Sequence, residues 1–509
     1  MNIPLRGRYF GARLYSSISG LSSSLAKTLV PSCKACGTPF HRDNLNPLGF
    51  YASLVPRSER KQSIRAEKDK KIQAIFNNLD ADKQQFLNLN ATNSGIGTKW
   101  IAGSDNAAKL AADRKIKANA AVRESICQHC YEERGGSHAH IVAKLPEGMS
   151  NLEQLLSAIP DRATVIHVID GADFPTTVDH RVAEWQKGRN GKVLWVVNRA
   201  DLLVTQKYKS NQRALPYIRQ VLADLVGAKP QHVYVISALA SWNLDQLFNA
   251  MTKDNYLVGY TNVGKTLLAK RLEQSFGDFP ATSKETASKI SELAVSRTPW
   301  KTRAPVFYHL ASEKLVVDMP AIPEHNSVYE ILKPKALKQL VVGHQTLKDP
   351  GRYNAKRIVT KLGQVTSIGG LVVLQHECTN SQLVTVCWPI IADTTKKVRV
   401  LSSLEKAIQI NASENSQHYD WTYSLPARST EYKHAMDINF KGEGVSLAIR
   451  GIGVVHIHAN GKVPEEGVRL KVYAGPNVKV ERRPDIMSFL RDRGNSEKHT
   501  ETLGEPLES

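Results

Sequence analysis

The chain has 509 residues, too many for one hydrophobic core, so about two to four domains are expected. Its 68 Lys and Arg outnumber 48 Asp and Glu for a formal charge of +20, which draws it toward phosphate-rich surfaces such as nucleic acid or anionic lipid. A run of about 18 apolar residues is absent, which excludes a spanning helix on pattern, and six cysteines in so long a chain do not make a disulfide framework.

Residues 1 to 42 contain no Asp or Glu, yet carry Arg6, Arg8, Arg13 and Lys27 among serines 16, 17, 19, 22, 23 and 24. Acid-poor, Arg- and Ser-rich composition without a secretory apolar core predicts a mitochondrial transit peptide over residues 1–30, with cleavage after Tyr15. Next, residues 31–140 hold Cys33-Lys34-Ala35-Cys36 and, far downstream, Cys127-Gln128-His129-Cys130. Two such knuckles can bring four thiolates to one tetrahedral Zn²⁺. Usual ribbons separate the pairs by about 15 to 20 residues, so the stretch 53–126 reads as an insertion whose ends meet. It is basic, with Arg57, Arg60, Lys61, Arg65, Lys68, Lys70 and Lys71, then an Ala-rich helical pattern carrying Lys109, Arg114, Lys115, Lys117 and Arg123. Two unrelated thiol pairs are the alternative. A redox C-x-x-C lacks the strand and helix context it needs.

From Thr164 short apolar strands end in polar motifs. Val165 to Ile169 ends at Asp170, and Val193 to Val197 runs into Asn198-Arg199-Ala200-Asp201. The pattern N-[KR]-x-D at a strand end suits guanine: the Asn amide reads the O6/N7 edge and the carboxylate accepts from N1-H and the 2-amino group. Val233 to Ile236 ends at Ser237-Ala238-Leu239, the expected backbone support for the base. Only then comes Gly259-Tyr260-Thr261-Asn262-Val263-Gly264-Lys265-Thr266, which fits G-x-x-x-x-G-K-[ST]. Its backbone N-H groups cradle phosphate, Lys265 neutralises it and the Thr266 hydroxyl ligates Mg²⁺. Leu315 to Val317 ends at Asp318, a carboxylate for the Mg²⁺ shell. The base motif precedes the phosphate loop, the reverse of most GTPases. The reading is a circularly permuted P-loop GTPase domain over 141–345, within an overall α/β class.

Past Gly351 the pattern changes to short alternating strands, predicting a separate β-rich, RNA-binding domain over 346–509. Asn460-Gly461 reads as a hairpin turn. Lys396, Lys397, Arg399, Arg450, Arg469, Lys471, Lys479, Arg482 and Arg483 are candidate phosphate contacts, and His456 and His458 read as structural. Cys378 and Cys387 read as buried strand residues.

The two cysteine knuckles, Asp170 followed by Asp173-Phe174-Pro175, Asn198 to Asp201, the loop with Thr261-Asn262-Val263 and Gly369-Gly370-Leu371 together resemble the circularly permuted GTPases of the YqeH type, in particular their fungal mitochondrial branch. The resemblance covers most of the chain. It implies a zinc knuckle, a permuted GTPase domain and a β-rich domain that together assist assembly of the mitochondrial small ribosomal subunit through its rRNA. It also implies GTP or GDP with Mg²⁺, and K⁺ at Asn262. Arg199 replaces the family's usual lysine, Thr302 is the one switch candidate in Pro299-Trp300-Lys301-Thr302, Ala321 stands for a glycine, and Ile322 occupies the place of a water-orienting glutamine. No catalytic base is visible, so slow or partner-activated hydrolysis is expected. A non-hydrolysing RNA-binding scaffold and a peripheral inner-membrane regulator are the rival readings.

Overall fold

The computed structural model describes residues 32–33, 35–41, 49, 127–128, 130, 151–204, 206–277, 300–324, 328–331, 356–377, 381–389, 398–412, 432–440, 444–461, 463–475 and 478–483. The expected transit peptide, the basic insertion, Pro299, Cys378, Lys396, Lys397 and residues 484–509 lie outside them, as does the Cys387 side chain. The chain forms two compact units, one containing the cysteine pairs and the other the described residues from 151 onward. Among the described residues no helix is long and apolar enough to cross a membrane.

The first half of the larger unit is a three-layer α/β structure. Strands β1 (Thr164–Asp170), β2 (Val193–Asn198), β3 (Val233–Val235), β4 (Asp254–Val258), β5 (Val306–Leu310) and β6 (Lys314–Asp318) form one sheet in the order β3-β2-β1-β4-β6-β5. All neighbours are parallel except β5 with β6. β1 and β2 are buried along their whole length, as expected of parallel strands covered on both faces.

Alternation divides the sheet between two cores. Val165, Ile169, Trp195 and Val197 face the helices Leu152–Ser157, His180–Gln186 and Leu215–Val226, whose contributions include Leu155, Val182, Ile218 and Leu222. Ile166, Val168, Leu194 and Val196 face the other way, onto Leu247 of helix Leu244–Ala250 and Leu268 and Leu272 of helix Lys265–Phe276. The strand order reverses between β1 and β4, leaving a crevice at their carboxyl ends, where open α/β sheets place ligands.

The second half is β-rich, in two five-stranded sheets. One runs β16 (Val480–Arg483), β13 (Val445–Ile449), β14 (Gly453–Gly461), β10 (Ser381–Pro389), β7 (Lys356–Thr360); the other runs β11 (Val398–Leu401), β8 (Val365–Ile368), β9 (Val372–His376), β15 (Val468–Ala474), β12 (Lys433–Phe440). A single apolar cluster including Leu374, Leu447, Ile457, Val468 and Val472 joins them. The Asn460-Gly461 turn is not formed. Both residues stay in β14, paired with Gln382 and Ser381 of β10, because β14 is a central strand whose ladder continues to its end. The tight turn lies instead at Arg450-Gly451-Ile452, between β13 and β14.

Candidate functional site

The carboxyl ends of the five parallel strands bring the sequence motifs to one edge of the sheet. Asn198, the last residue of β2, bridges two of them: its amide Nδ2 donates to the Val263 carbonyl at 3.0 Å, and its Oδ1 accepts from the Ala238 N-H at 2.9 Å. Gly264 lies against it at φ 93°, and a Cβ there would sit 2.4 Å from Asn198 Nδ2, so this position admits no side chain. Gly259 is equally close-packed: a Cβ would lie 2.5 Å from the Val168 carbonyl oxygen.

Arg199 turns the chain in the left-handed region, φ 62°, and points its guanidinium along the loop. It pairs with Asp170 Oδ2 at 2.5 Å and donates to the Asn262 carbonyl at 2.6 Å. Burial pushes the Asp170 carboxyl up to about 6, against the attraction of Arg199. Asp201 is buried in the first turn of the following helix, where the Ser237 hydroxyl donates to Oδ1 at 2.5 Å and itself accepts from the Ala240 N-H at 3.0 Å. Ala238 is buried, but Leu239 is 55% exposed, so its side chain takes no part in the packing that holds this turn.

Lys265 is buried and donates to the Gly259 and Tyr260 carbonyls, each at 2.8 Å. Burial lowers its ammonium to about 8, with Asp318 opposing. The Thr266 hydroxyl donates to Asp318 Oδ2 at 2.6 Å, and the Thr302 hydroxyl lies 3.2 Å from Thr266 Oγ1 and 3.4 Å from Asp318 Oδ2. Thr302 is thus brought to the site. Asp318 Oδ1 is buried with no hydrogen-bond partner among the described residues, and burial raises its carboxyl above the usual range. An orphaned carboxylate oxygen beside two hydroxyls is a donor set that suits a hard, oxygen-seeking cation such as Mg²⁺.

Ala321 does not adopt positive φ, so its methyl group meets no backbone conflict. Ile322 is fully buried and its N-H donates to the Gly259 carbonyl at 3.0 Å. The loop's N-terminal glycine is therefore tied to the segment after β6.

A polar network beneath the loop was not legible in the sequence. Tyr260 donates its hydroxyl to Asp179 Oδ2 at 3.0 Å, Arg181 forks onto Asp179, and the Asp179 N-H donates to His167 Nε2 at 3.3 Å. His167 is fully buried within β1, edge-on to Trp195. Burial, outweighing the attraction of Asp179, lowers the imidazole from 6.5 to about 4. A histidine kept neutral in the fold contributes stability above pH 6.5 that is lost as pH falls toward 4, because the unfolded chain takes up the proton first. The loss amounts to about 3 kcal/mol at most. Urea midpoints measured between pH 7 and 4 are expected to fall more steeply for the wild type than for His167→Phe; parallel slopes would show that His167 carries none of the acid sensitivity.

The four cysteines meet in the smaller unit. Cys33, Cys36, Cys127 and Cys130 are buried, and their sulfurs all lie within 4.8 Å of one another, with Cys36 and Cys127 at 3.9 Å across 91 residues of chain. A tetrahedral zinc with bonds of about 2.3 Å spaces its sulfurs by about 3.8 Å. The Ala35 and Cys127 N-H groups donate to Cys33 Sγ at 3.4 and 3.3 Å, orienting a sulfur as metal-thiolate sites require. The cluster can hold a structural metal such as zinc.

No family model matches the chain. Curated relatives do. The chain is 23% identical to the Debaryomyces hansenii protein "Genetic interactor of prohibitins 3, mitochondrial", over 97% of this chain and 85% of the relative. The proteins of the same name from Scheffersomyces stipitis and Saccharomyces cerevisiae are 21% and 22% identical, over 93% and 77% of this chain and 79% and 68% of theirs. These relatives are named as mitochondrial proteins, and the mitochondrial location expected from the N-terminus agrees with them.

In the β-rich half, two candidate phosphate contacts are corrected. Arg450 is 2% exposed and Arg483 is 4% exposed; Arg450 pairs with Asp173 at 3.0 Å and Arg483 donates to the Phe174 carbonyl at 3.1 Å. Their charge is spent inside the protein, where nucleic acid cannot reach it. Arg469 and Arg482 remain exposed. Lys471 and Lys479 pair at the surface with Glu377 and Glu481. His456 is buried, with Ser446 Oγ 3.2 Å from its Nδ1, and stacks on His458 at 5.7 Å.

Proposed function

We propose that the chain is a guanine-nucleotide-binding assembly factor for the small ribosomal subunit, working in the mitochondrial matrix, with a circularly permuted P-loop GTPase domain at its centre. The observation that carries the reading is the convergence of Asn198, Asp201, Ser237, the 259–266 loop and Asp318 on one edge of one sheet, although the base motif precedes the loop in the chain. Asn198 and Asp201 read the guanine edge, with Ser237 and Ala238 fixing the turn beside them. Backbone N-H groups of Asn262 to Thr266 and the Lys265 ammonium hold the phosphates. Thr266 and Asp318 would hold Mg²⁺, which neutralises phosphate charge when bound; Asn262 would take K⁺. The four-cysteine cluster would bind zinc, and the basic residues of the 53–126 stretch would meet rRNA.

Ile322 supports slow or partner-activated hydrolysis, and it also favours a second reading, a scaffold that binds nucleotide without turning it over. Its apolar side chain is buried and its N-H is engaged by Gly259, leaving nothing at that position to orient water. Sedimentation of mitochondrial extracts tests the main proposal. The protein is expected to comigrate with small-subunit particles in a manner that differs between a GTP analogue and GDP by at least about fivefold. Identical sedimentation away from those particles in both nucleotides would overturn it. Single-turnover hydrolysis in K⁺ buffer with particles added separates the enzyme from the scaffold.

A further inference from the structure

The segments flanking the candidate phosphate site are built into the β-rich half. Trp300 and Ala321 belong to the same apolar cluster as Val445, Leu447, Ile452 and Ile457. Trp300 also donates its backbone N-H to Thr261 Oγ1 of the loop at 3.2 Å. A displacement of either segment therefore disturbs a packed core, which has discrete arrangements and does not deform continuously.

Arg450 adds a polar link at the same place. It sits in the β13–β14 turn, its Nη1 pairs with Asp173 at 3.0 Å, its Nη2 pairs with Glu324 at 3.2 Å, and its guanidinium lies 5.3 Å over the Tyr260 ring. One side chain thus touches the segment after β1, the second residue of the loop, and the segment after β6. Its partners differ in kind. Asp173 is fully buried and its Oδ2 also accepts the Gly451 N-H at 2.7 Å, so that arm is an anchor. The Glu324 side chain is 18% exposed and holds Arg450 by one longer contact, so that arm can exchange with water. Gly451, next to Arg450, has φ 75°, and a Cβ there would lie 2.8 Å from Val328 Cγ1, so the turn packs closely at a position that favours glycine.

We infer that Arg450 is a positioning residue that couples the occupancy of the phosphate loop to the β-rich half, with Glu324 as its releasable partner. The inference rests on the guanine-nucleotide reading above. A triphosphate in the loop competes for the N-H groups of the 319–322 segment, including the Ile322 N-H now held by Gly259, and draws that segment away from its present partner. Glu324 then leaves Arg450, and the β13–β14 turn loosens around its Asp173 anchor. With a diphosphate the pair stays closed.

Hydrogen exchange of the full-length protein, read at residues 445–457 with a non-hydrolysable GTP analogue and with GDP, tests the coupling. In the wild type, exchange is expected to be at least about fivefold faster with the analogue. Glu324→Gln is expected to bind both nucleotides within about threefold of wild type and to exchange rapidly in both, so that the difference disappears. Arg450→Lys, which keeps the charge and loses the fork, is expected to retain part of the difference. A nucleotide difference of unchanged size in Glu324→Gln overturns the inference, as does a wild type that binds both nucleotides and shows no difference. If titration of the same wild-type sample detects no guanine-nucleotide binding, the functional reading itself falls and the coupling with it.

Discussion

Asp201→Asn is expected to weaken GTP binding by about 10²–10³-fold and to give the protein measurable affinity for xanthosine triphosphate. The Asp201 carboxylate is an acceptor at both oxygens, and the guanine edge presents two donors, N1-H and the 2-amino group. Asparagine turns one acceptor into a donor, which faces the 2-amino group as a mismatch and the xanthine O2 as a match. The charge-assisted bond lost costs about 1.5–3 kcal/mol and the 2-amino group left facing a donor costs about 1–3 kcal/mol more, so a loss of about 3–4 kcal/mol is expected. The substitution is nearly isosteric, and the oxygen that accepts from Ser237 at 2.5 Å can be kept, so the turn after β2 survives. Isothermal titration with GTP, ATP and xanthosine triphosphate reads the result. GTP affinity equal to that of the wild type would remove the base site from this part of the molecule.

The second large effect is expected at the cysteine cluster. Protein purified under reducing conditions is expected to carry about one zinc per chain, and Cys127→Ser to lose it. As ligands the four buried sulfurs are thiolates whose like charges repel within 4.8 Å of one another, and a Zn²⁺ offsets that repulsion while satisfying all of them at once. Structural zinc contributes about 10–16 kcal/mol of apparent binding free energy in small knuckles, so this unit is expected to unfold on chelation. Elemental analysis and loss of ordered signal on chelator addition check this. Metal-free protein with unchanged stability would show that the cluster stands without zinc.

The local parts of the candidate site were legible because their geometry is local. A glycine needed at φ 93°, a lysine and threonine opening a helix, and polar residues closing buried strands all leave patterns within a few residues. The cysteine pairs were legible for the same reason, as two short turns. The hairpin at Asn460-Gly461 misled because turn propensity is weak beside nine consecutive pairings in a central ladder. Arg450 and Arg483 misled in another way: a charge in sequence looks solvated until its partner is known, and the partners lie 277 and 309 residues away.

By itself the sequence determined the residue types of the site, the order of its motifs, the α/β-then-β composition and the acid-poor N-terminus, since each depends on neighbours or on bulk chemistry. Only the tertiary structure decided that Asn198 ties the loop to Ala238, that Asp318 keeps an unpartnered oxygen beside Thr266, that sulfurs 91 residues apart meet, and that Arg450 is buried against Asp173 and Glu324. Those facts are pairings between distant segments. Their energies depend on burial and on geometry of a few tenths of an ångström, which a linear pattern does not encode.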